Sequence, residues 1–271
     1  MFREIIACLD GSPFAEKILP YARALARSMG ARLRLLRVVG DEADRASAKS
    51  YLQSLADGWE AELTVKLAQT DAGSAIIEEL RRDPSALAAI TTRGRSGLAE
   101  ALLGSVALDV IRGARRPVLL YRPRVERPDP GGEIRLKWVV AALDGSDFSE
   151  RILPFAAGVA QALEAKLELV QVLPAQAGCV PGGLDRDLLE SSYLHQQAKW
   201  VQRSYALRVN WEVLHGSPAG AICGHLQGRH DALLAMTSRA RAGLEQAAFG
   251  SVTAECVRRA GVPLLVYWPA T

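Results

Sequence analysis

The chain has 271 residues, 49% of them hydrophobic and 23% charged, which is too apolar for a disordered protein and long enough for one large domain or two small ones. Its 33 basic and 30 acidic residues leave a net charge of +3, too slight a surplus to mark a nucleic-acid binder. No apolar run approaches the ~20 residues of a membrane-spanning helix, and Glu4 ahead of a short apolar run is wrong for a signal peptide.

In chain order, Ile5 to Leu9 reads as a short buried strand. Ser12 then offers a helix N-cap with Pro13 in the first helical position. Phe14, Ile18, Ala22, Leu25 and Met29 follow at helical spacing, with Pro20 expected to kink this helix without stopping it. Leu33 to Val39 is the second strand, followed by a polar helical stretch. Thr64 to Ala68 reads as a strand, Ala75 to Arg81 as a helix, and Leu87 to Thr92 as the fourth strand. Ser105 to Gly113 is a helix and Val118 to Tyr121 the fifth strand. Apolar strands alternating with helices imply a parallel sheet covered on both faces, a doubly wound α/β domain.

The pattern then repeats. Ala7 to Val38 aligns without a gap onto Ala141 to Val172, with 16 of 32 positions identical. The stretch from Leu102 aligns with that from Ala248, with nine of 22 identical, and the last strand recurs as Leu264 to Tyr267. The offset grows from 134 to 146 between these blocks, so the second copy carries 12 extra residues. Pro174 to Arg186, rich in Gly, Pro and Ala, reads as the surface loop that holds them. Two domains, 1–123 and 134–271, are thus expected on either side of a Pro- and Gly-rich linker, 124–133.

Ligands of open α/β sheets sit beyond the carboxyl ends of the strands, where strand order reverses. Strand one ends in Asp10-Gly11-Ser12 and its repeat in Asp144-Gly145-Ser146. Strand four leads through a loop to Gly104-Ser105-Val106, repeated as Gly250-Ser251-Val252, each opening a helix. A helix N-terminus carries unpaired N–H groups and partial positive charge, so this element suits a phosphate, with Arg93 or Arg95 placed to add a guanidinium. Asp10 is placed to accept from ribose hydroxyls. Taken alone, Gly-Ser-Val also reads as a plain helix cap, and Asp10 as the cap of its own turn.

This arrangement resembles the universal stress protein family, over nearly the whole chain and as two family domains in tandem. The family's nucleotide pattern, G-x2-G-x9-G-[S/T], becomes Thr91-x2-Gly94-x9-Gly104-Ser105 in the first copy and Thr237-x2-Ala240-x9-Gly250-Ser251 in the second. The resemblance implies two five-stranded, doubly wound, adenine nucleotide alpha hydrolase-like domains of strand order 3-2-1-4-5, packed as an internal pseudo-dimer through the apolar terminal strands. It implies ATP or another adenine nucleotide as cofactor, with Mg2+ as an optional companion. Asp10, Val38, Gly94, Gly104, Ser105 and Val106 would bind it, with a weaker second site at Asp144, Val172, Gly250, Ser251 and Val252. Ala240 puts a methyl group where the backbone should approach phosphate, so the first site is expected to be the tighter.

Other chemistries find less support. There is no G-x4-G-K-[ST], no G-x-G-x-x-G after strand one and no G-x-S-x-G elbow. His215, His225 and His230 near Cys223 are poorly spaced for a metal and read as surface or packing residues, so no metal site is expected. The four cysteines (Cys8, Cys179, Cys223, Cys256) lie far apart in sequence, which argues against a disulfide framework and for a reducing cytoplasm. The five tryptophans read as core or interface residues. With no assignable general base, slow ATP hydrolysis is the most catalysis expected. The expected role is a nucleotide-responsive stress or signalling protein, without membrane or nucleic-acid partners, able to form a homodimer, with protein partners unknown. The alternative is an interaction module that has lost its nucleotide.

Overall fold

The computed structural model describes residues 1–68, 70–92, 104–123, 134–174, 183–238 and 249–269. The chain divides into two compact α/β units, which part between Arg135 and Leu136, the residues from Val266 onward grouping with the first.

In the first unit, β1 (Glu4–Leu9) is buried along its whole length. Ser12 caps α1 (Pro13–Glu16), its Oγ accepting from the Ala15 N–H at 3.2 Å, with Pro13 in the first turn. The chain turns at Lys17 and Ile18 and enters α2 (Leu19–Met29). The single kinked helix expected from sequence is therefore two helices, and Pro20 lies in the first turn of α2. The N–H groups of a first turn have no intrahelical acceptor, so proline loses nothing there. Pro154 stands likewise in α7 (Leu153–Ala162) of the second unit.

β2 (Arg32–Val39) follows, then a 3-10 turn at Glu42–Asp44, α3 (Arg45–Leu55), β3 (Glu62–Leu67), α4 (Ala72–Arg82) and β4 (Ala86–Thr91). α5 (Ser105–Ala114) and β5 (Val118–Tyr121) complete the unit. Its strands run β3-β2-β1-β4-β5, with β1 parallel to both β2 and β4. The chain builds outward from β1 to β3 and then crosses back to β4, so the order reverses between the carboxyl ends of β1 and β4. Ile5, Leu25, Leu35, Leu87, Ile111 and Leu119 are fully buried and form the core on both faces of this sheet.

The second unit holds β6 (Trp138–Leu143), α6 (Asp147–Glu150), α7, β7 (Lys166–Leu173), α8 (Gly183–Tyr205), β8 (Val209–His215), α9 (Pro218–His225), β9 (Ala232–Thr237), α10 (Ser251–Arg259) and β10 (Leu264–Tyr267). Its order is β10-β9-β6-β7-β8, the same arrangement. Here α8 has 23 residues against 11 in α3. The loop expected over Pro174 to Arg186 therefore ends before Gly183, and much of the extra length extends a helix. The expected linker 124–133 lies outside the described residues. Two of the five tryptophans are not core residues: Trp200 is 45% and Trp211 38% exposed, and Trp211 stacks on His195 at 4.8 Å.

One buried position is inverted in charge between the two units. Arg34 of β2 donates to Glu79 at 2.8 Å and to Glu4 at 2.9 Å, all three nearly out of water. Its repeat counterpart is Glu168, which faces His225 Nε2 at 2.9 Å and the Arg229 guanidinium. His225 and Arg229 stand where the first unit has Glu79 and Asp83. Each unit thus satisfies a buried charge at this point with the opposite sign.

Candidate functional site

A cavity opens at the reversal point of the first unit. It has a volume of about 240 Å³ and is lined by Asp10 at the tip of β1, Val38 on β2, Thr91 on β4, and Gly104, Ser105 and Val106 at the start of α5. Leu36, Ile76 and Ile90 form its apolar walls. Five of the six residues expected at this site therefore come together. The sixth, Gly94, lies outside the described residues, as do Arg93, Arg95 and, in the second unit, Ala240.

Asp10 is set by a tight local turn. Its Oδ1 accepts from the Ser12 N–H at 2.9 Å, across Gly11 at φ +86°. Only glycine adopts that angle without strain, so Gly11→Ala is expected to cost about 1 kcal/mol and to displace Asp10, visible as a lower midpoint in urea unfolding. Asp10 thus caps its own turn.

The start of α5 has the features of an anion site. Gly104 is its N-cap and supplies no side-chain cap. The Gly104 N–H donates to Thr92 O at 3.0 Å, and the first intrahelical bond runs from the Leu108 N–H to Gly104 O at 3.1 Å. The N–H groups of Ser105, Val106 and Ala107 precede that bond and face the helix's open end. At Gly104 φ is −64°, which any residue adopts, and a Cβ would meet nothing closer than Thr92 O at 3.6 Å. The fold itself therefore does not require glycine here. Close approach by a ligand would.

Two further groups shape the site. Cys8 lies at its base, and burial pushes its thiol up to about 12, against the weaker opposing effect of Arg34, so it is a neutral wall and not a nucleophile. Outside the cavity lining, but near enough to Asp10 to feel its charge, the Tyr51 hydroxyl donates to Glu16 at 3.0 Å while the Arg37 guanidinium lies 4.9 Å from the Tyr51 ring centre. Burial first, then the Glu16 carboxylate, hold this phenol well above its usual range. The second unit repeats the pair, Tyr193 donating to Glu150 at 2.9 Å. Sequence reading missed both. Glu16 and Glu150 are identical within the aligned block, but the tyrosines lie beyond it, across the length difference between α3 and α8.

The second unit's cavity is larger, about 690 Å³, and is lined by Asp144, Val172, Thr237, Gly250, Ser251 and Val252. All five expected residues of the second site are present in it. Asp144 Oδ1 accepts from the Ser146 N–H at 3.1 Å and also from the Ser146 hydroxyl. Gly250 again supplies no cap to α10, but its N–H donates to Ser238 Oγ at 3.2 Å. Asp144 is exposed where Asp10 is half-buried, and Gln171 stands where the first unit has Arg37. The second cavity offers more space, while the acid of the first is the more enclosed.

The strand order, the Asp-Gly-Ser turn and the uncapped Gly-Ser-Val helix occur twice in one chain. The pattern that defines the universal stress protein family matches residues 1–122 and again 136–267. The chain belongs to the universal stress protein family. Universal stress protein Slr1230 of Synechocystis sp. is 22% identical over 304 residues, covering 98% of this chain and 99% of the relative. Universal stress protein MJ0531 of Methanocaldococcus jannaschii is 27% identical over 145 residues, 50% of this chain and 84% of its own length. The crystal structure of a universal stress protein from Archaeoglobus fulgidus is similar with a TM-score of 0.73 at 21% identity, over 99% of each chain. This tandem universal stress protein therefore shares its fold with solved family members.

Among the described residues one trio, Glu168, Glu212 and His225, brings possible metal-ligand atoms within 4.8 Å of one another. The imidazole presents Nε2 to Glu168 at 2.9 Å and Nδ1 to Glu212 at 3.7 Å. Glu168 also takes the Arg229 guanidinium, so one carboxylate of the cluster already has a cationic partner. His225, read from sequence as a surface or packing residue, is a member of that cluster. No helix among the described residues is long and apolar enough to cross a membrane.

Proposed function

We propose that this tandem universal stress protein binds ATP or a related adenine nucleotide, chiefly in its first domain, and acts as a nucleotide-responsive stress or signalling protein. The observation that carries this reading is the uncapped start of α5. There, N–H donors and Gly104 open into an apolar cavity that also holds Asp10 and Val38. In this reading Val38 meets the base through its backbone, Asp10 accepts from the sugar, and Ser105 and Val106 hold phosphate. Asp10 is also the acid available to any Mg2+ that accompanies a triphosphate. In this reading the nucleotide acts as a signal and hydrolysis is slow at most. The protein is assigned to the cytoplasm, with no nucleic-acid or membrane partner. The apolar edge strands β5 and β10 are proposed to serve a homodimer.

The first domain ranks ahead because Asp10 is the less exposed acid and because Gly94 of the first copy is replaced by Ala240 in the second. Asp10→Ala is expected to remove more of the full chain's ATP binding than Asp144→Ala, by about tenfold in affinity for the affected site, as measured by calorimetry. Equal losses from the two variants would reject the ranking. Nucleotide released on denaturing protein purified without additives tests the reading itself.

A second reading, an interaction module without nucleotide, draws on the first cavity's 240 Å³, which falls below the ~300 Å³ where ligand pockets begin. Absence of both released nucleotide and a calorimetric signal at millimolar ATP would favour it.

A further inference from the structure

Part of the second copy's extra length lies at the C-terminal end of α8. The tyrosine–glutamate bonds mark equivalent points on the two helices: α3 stops at Leu55, four residues after Tyr51, whereas α8 runs to Tyr205, twelve after Tyr193. The added turns carry Trp200, which is 45% exposed. A cavity of about 460 Å³ opens where α8 meets the start of α6 and α7, and its lining includes Asp147, Glu150, Arg151, Gln197 and Trp200. That volume suits a small molecule. No lining residue is shared with the cavity that holds Asp144.

Charge and aromatic surface come together there without a partner. Glu150 Oε1 accepts from the Tyr193 hydroxyl and from Gln197 Nε2, both at 2.9 Å, which holds the carboxylate in place. Among the described residues neither Asp147 nor Glu150 forms an ion pair. Arg151, the cation in the lining, lies over Phe148 at 5.9 Å from the ring centre. Two carboxylates against one guanidinium leave the lining net negative in a chain whose net charge is +3. Trp200 makes a T-shaped contact with Tyr205 at 6.1 Å. Arginine or lysine covers Trp59, Tyr51, Phe148 and Trp138, but among the described residues no cation covers Trp200. The first domain lacks the set: Pro13 stands in the place of Asp147, and α3 ends before it could supply an equivalent of Trp200.

We propose that this cavity binds a small dicationic guanidine, an alkylguanidine that carries a second positive charge. A guanidinium is planar and weakly hydrated, so it both stacks on an indole face and bonds a carboxylate through two N–H groups. A metal ion or a primary ammonium gives up its water less readily and lacks the flat face. Two unpaired carboxylates call for two charges on the ligand. Leu153 and Pro154, also in the lining, offer apolar surface to the methylene groups between those charges. An arginine side chain of another protein would bring one charge and leave one carboxylate unmatched. The site is independent of the nucleotide reading.

Calorimetry on the full chain tests this, without nucleotide and at about 0.15 M salt, where loosely held cations are screened. The probe is agmatine, a guanidine with a terminal amine, and saturable binding of one equivalent per chain is expected. Trp200→Ala and Asp147→Pro, the second installing the first domain's residue, each change an exposed position and should leave the urea midpoint unaltered. Proline is tolerated at the first position of α6. Each variant is expected to bind agmatine about tenfold more weakly. Butylguanidine, with one charge, should bind the parent about fivefold more weakly than agmatine. No saturable heat at millimolar agmatine, or full affinity in either folded variant, would overturn the site. Equal affinity for butylguanidine would overturn the call for two charges. Tighter binding of N-acetylarginine amide than of agmatine would make the ligand an arginine side chain of another protein, and the small-molecule assignment would fall.

Discussion

Arg34→Ala is expected to destabilise the first domain by about 3 kcal/mol, the lower end of what breaking a buried ion pair costs. The penalty arises less from the lost bonds than from what they leave behind. Glu4 and Glu79, whose side chains are 4% and 3% exposed, would keep their charges without the guanidinium between them. Partial relief comes from the rim: Arg32 reaches Glu4 at 3.4 Å, and Lys66 reaches Glu79 at 2.9 Å. That relief is why the effect stays near the lower bound. Urea unfolding at neutral pH measures it as a fall in the midpoint of the first domain's transition. Replacing Glu4, Arg34 and Glu79 together by leucine removes every buried charge at once and should restore most of the loss. If the single and triple variants are equally unstable, the ion-pair account is wrong and Arg34 matters for its packing alone.

The same cluster sets a pH dependence. Burial alone would raise the carboxyls of Glu79 and Glu168, but hydrogen bonds from Lys66 and Arg34, and from His225 and Arg229, outweigh it and hold both below the usual carboxylate range. A depressed folded-state pKa contributes stability that is present above the unfolded value, near ~4.3, and lost as pH falls through the folded one. Both domains are therefore expected to lose stability in acid below about pH 4, and Arg34→Ala should flatten that dependence in the first domain. Midpoints collected across that range check the sign.

Most of the architecture was legible in the sequence because it rests on local signals. Apolar runs such as Leu87 to Thr92 and caps such as Ser12-Pro13 specify strands and helix starts without reference to distant residues. The repeat supplied the rest, since two copies with one pattern must fold alike. What escaped was tertiary. The Tyr51–Glu16 bond joins residues 35 apart in sequence, and the buried charge that is positive at Arg34 and negative at Glu168 looks in sequence like an unconserved surface position. Cys223 and Cys256 are 33 residues apart, and the helices that carry them are neighbours only because α9 packs on α10. Pro20 misled for the opposite reason. Its local rule was right, but the short run of apolar spacing across it concealed that one helix had ended and another begun.

Gly104→Asp separates the two readings of the helix start, because they predict opposite outcomes for one substitution. As a cap, aspartate is better than glycine: its carboxylate accepts from the N–H groups of the first turn and faces the positive end of the helix dipole. The backbone at φ −64° accommodates a side chain, and a Cβ there meets only Thr92 O at 3.6 Å. The variant should therefore be more stable than the parent by about 0.5–1 kcal/mol. As a phosphate site, the same change is ruinous. The new carboxylate takes the donors a phosphate needs and places a like charge beside it. Lost charge-assisted bonds and repulsion together amount to a few kcal/mol, so ATP affinity should fall about 100-fold or more. Adenosine, which lacks phosphate and in this reading rests on Val38 and Asp10, should keep its affinity within about threefold. A gain in stability with an equal loss for adenosine and ATP would mean that aspartate had closed the cavity as a whole. A gain in stability with no loss for ATP would leave Gly104-Ser105-Val106 as a helix cap and nothing more.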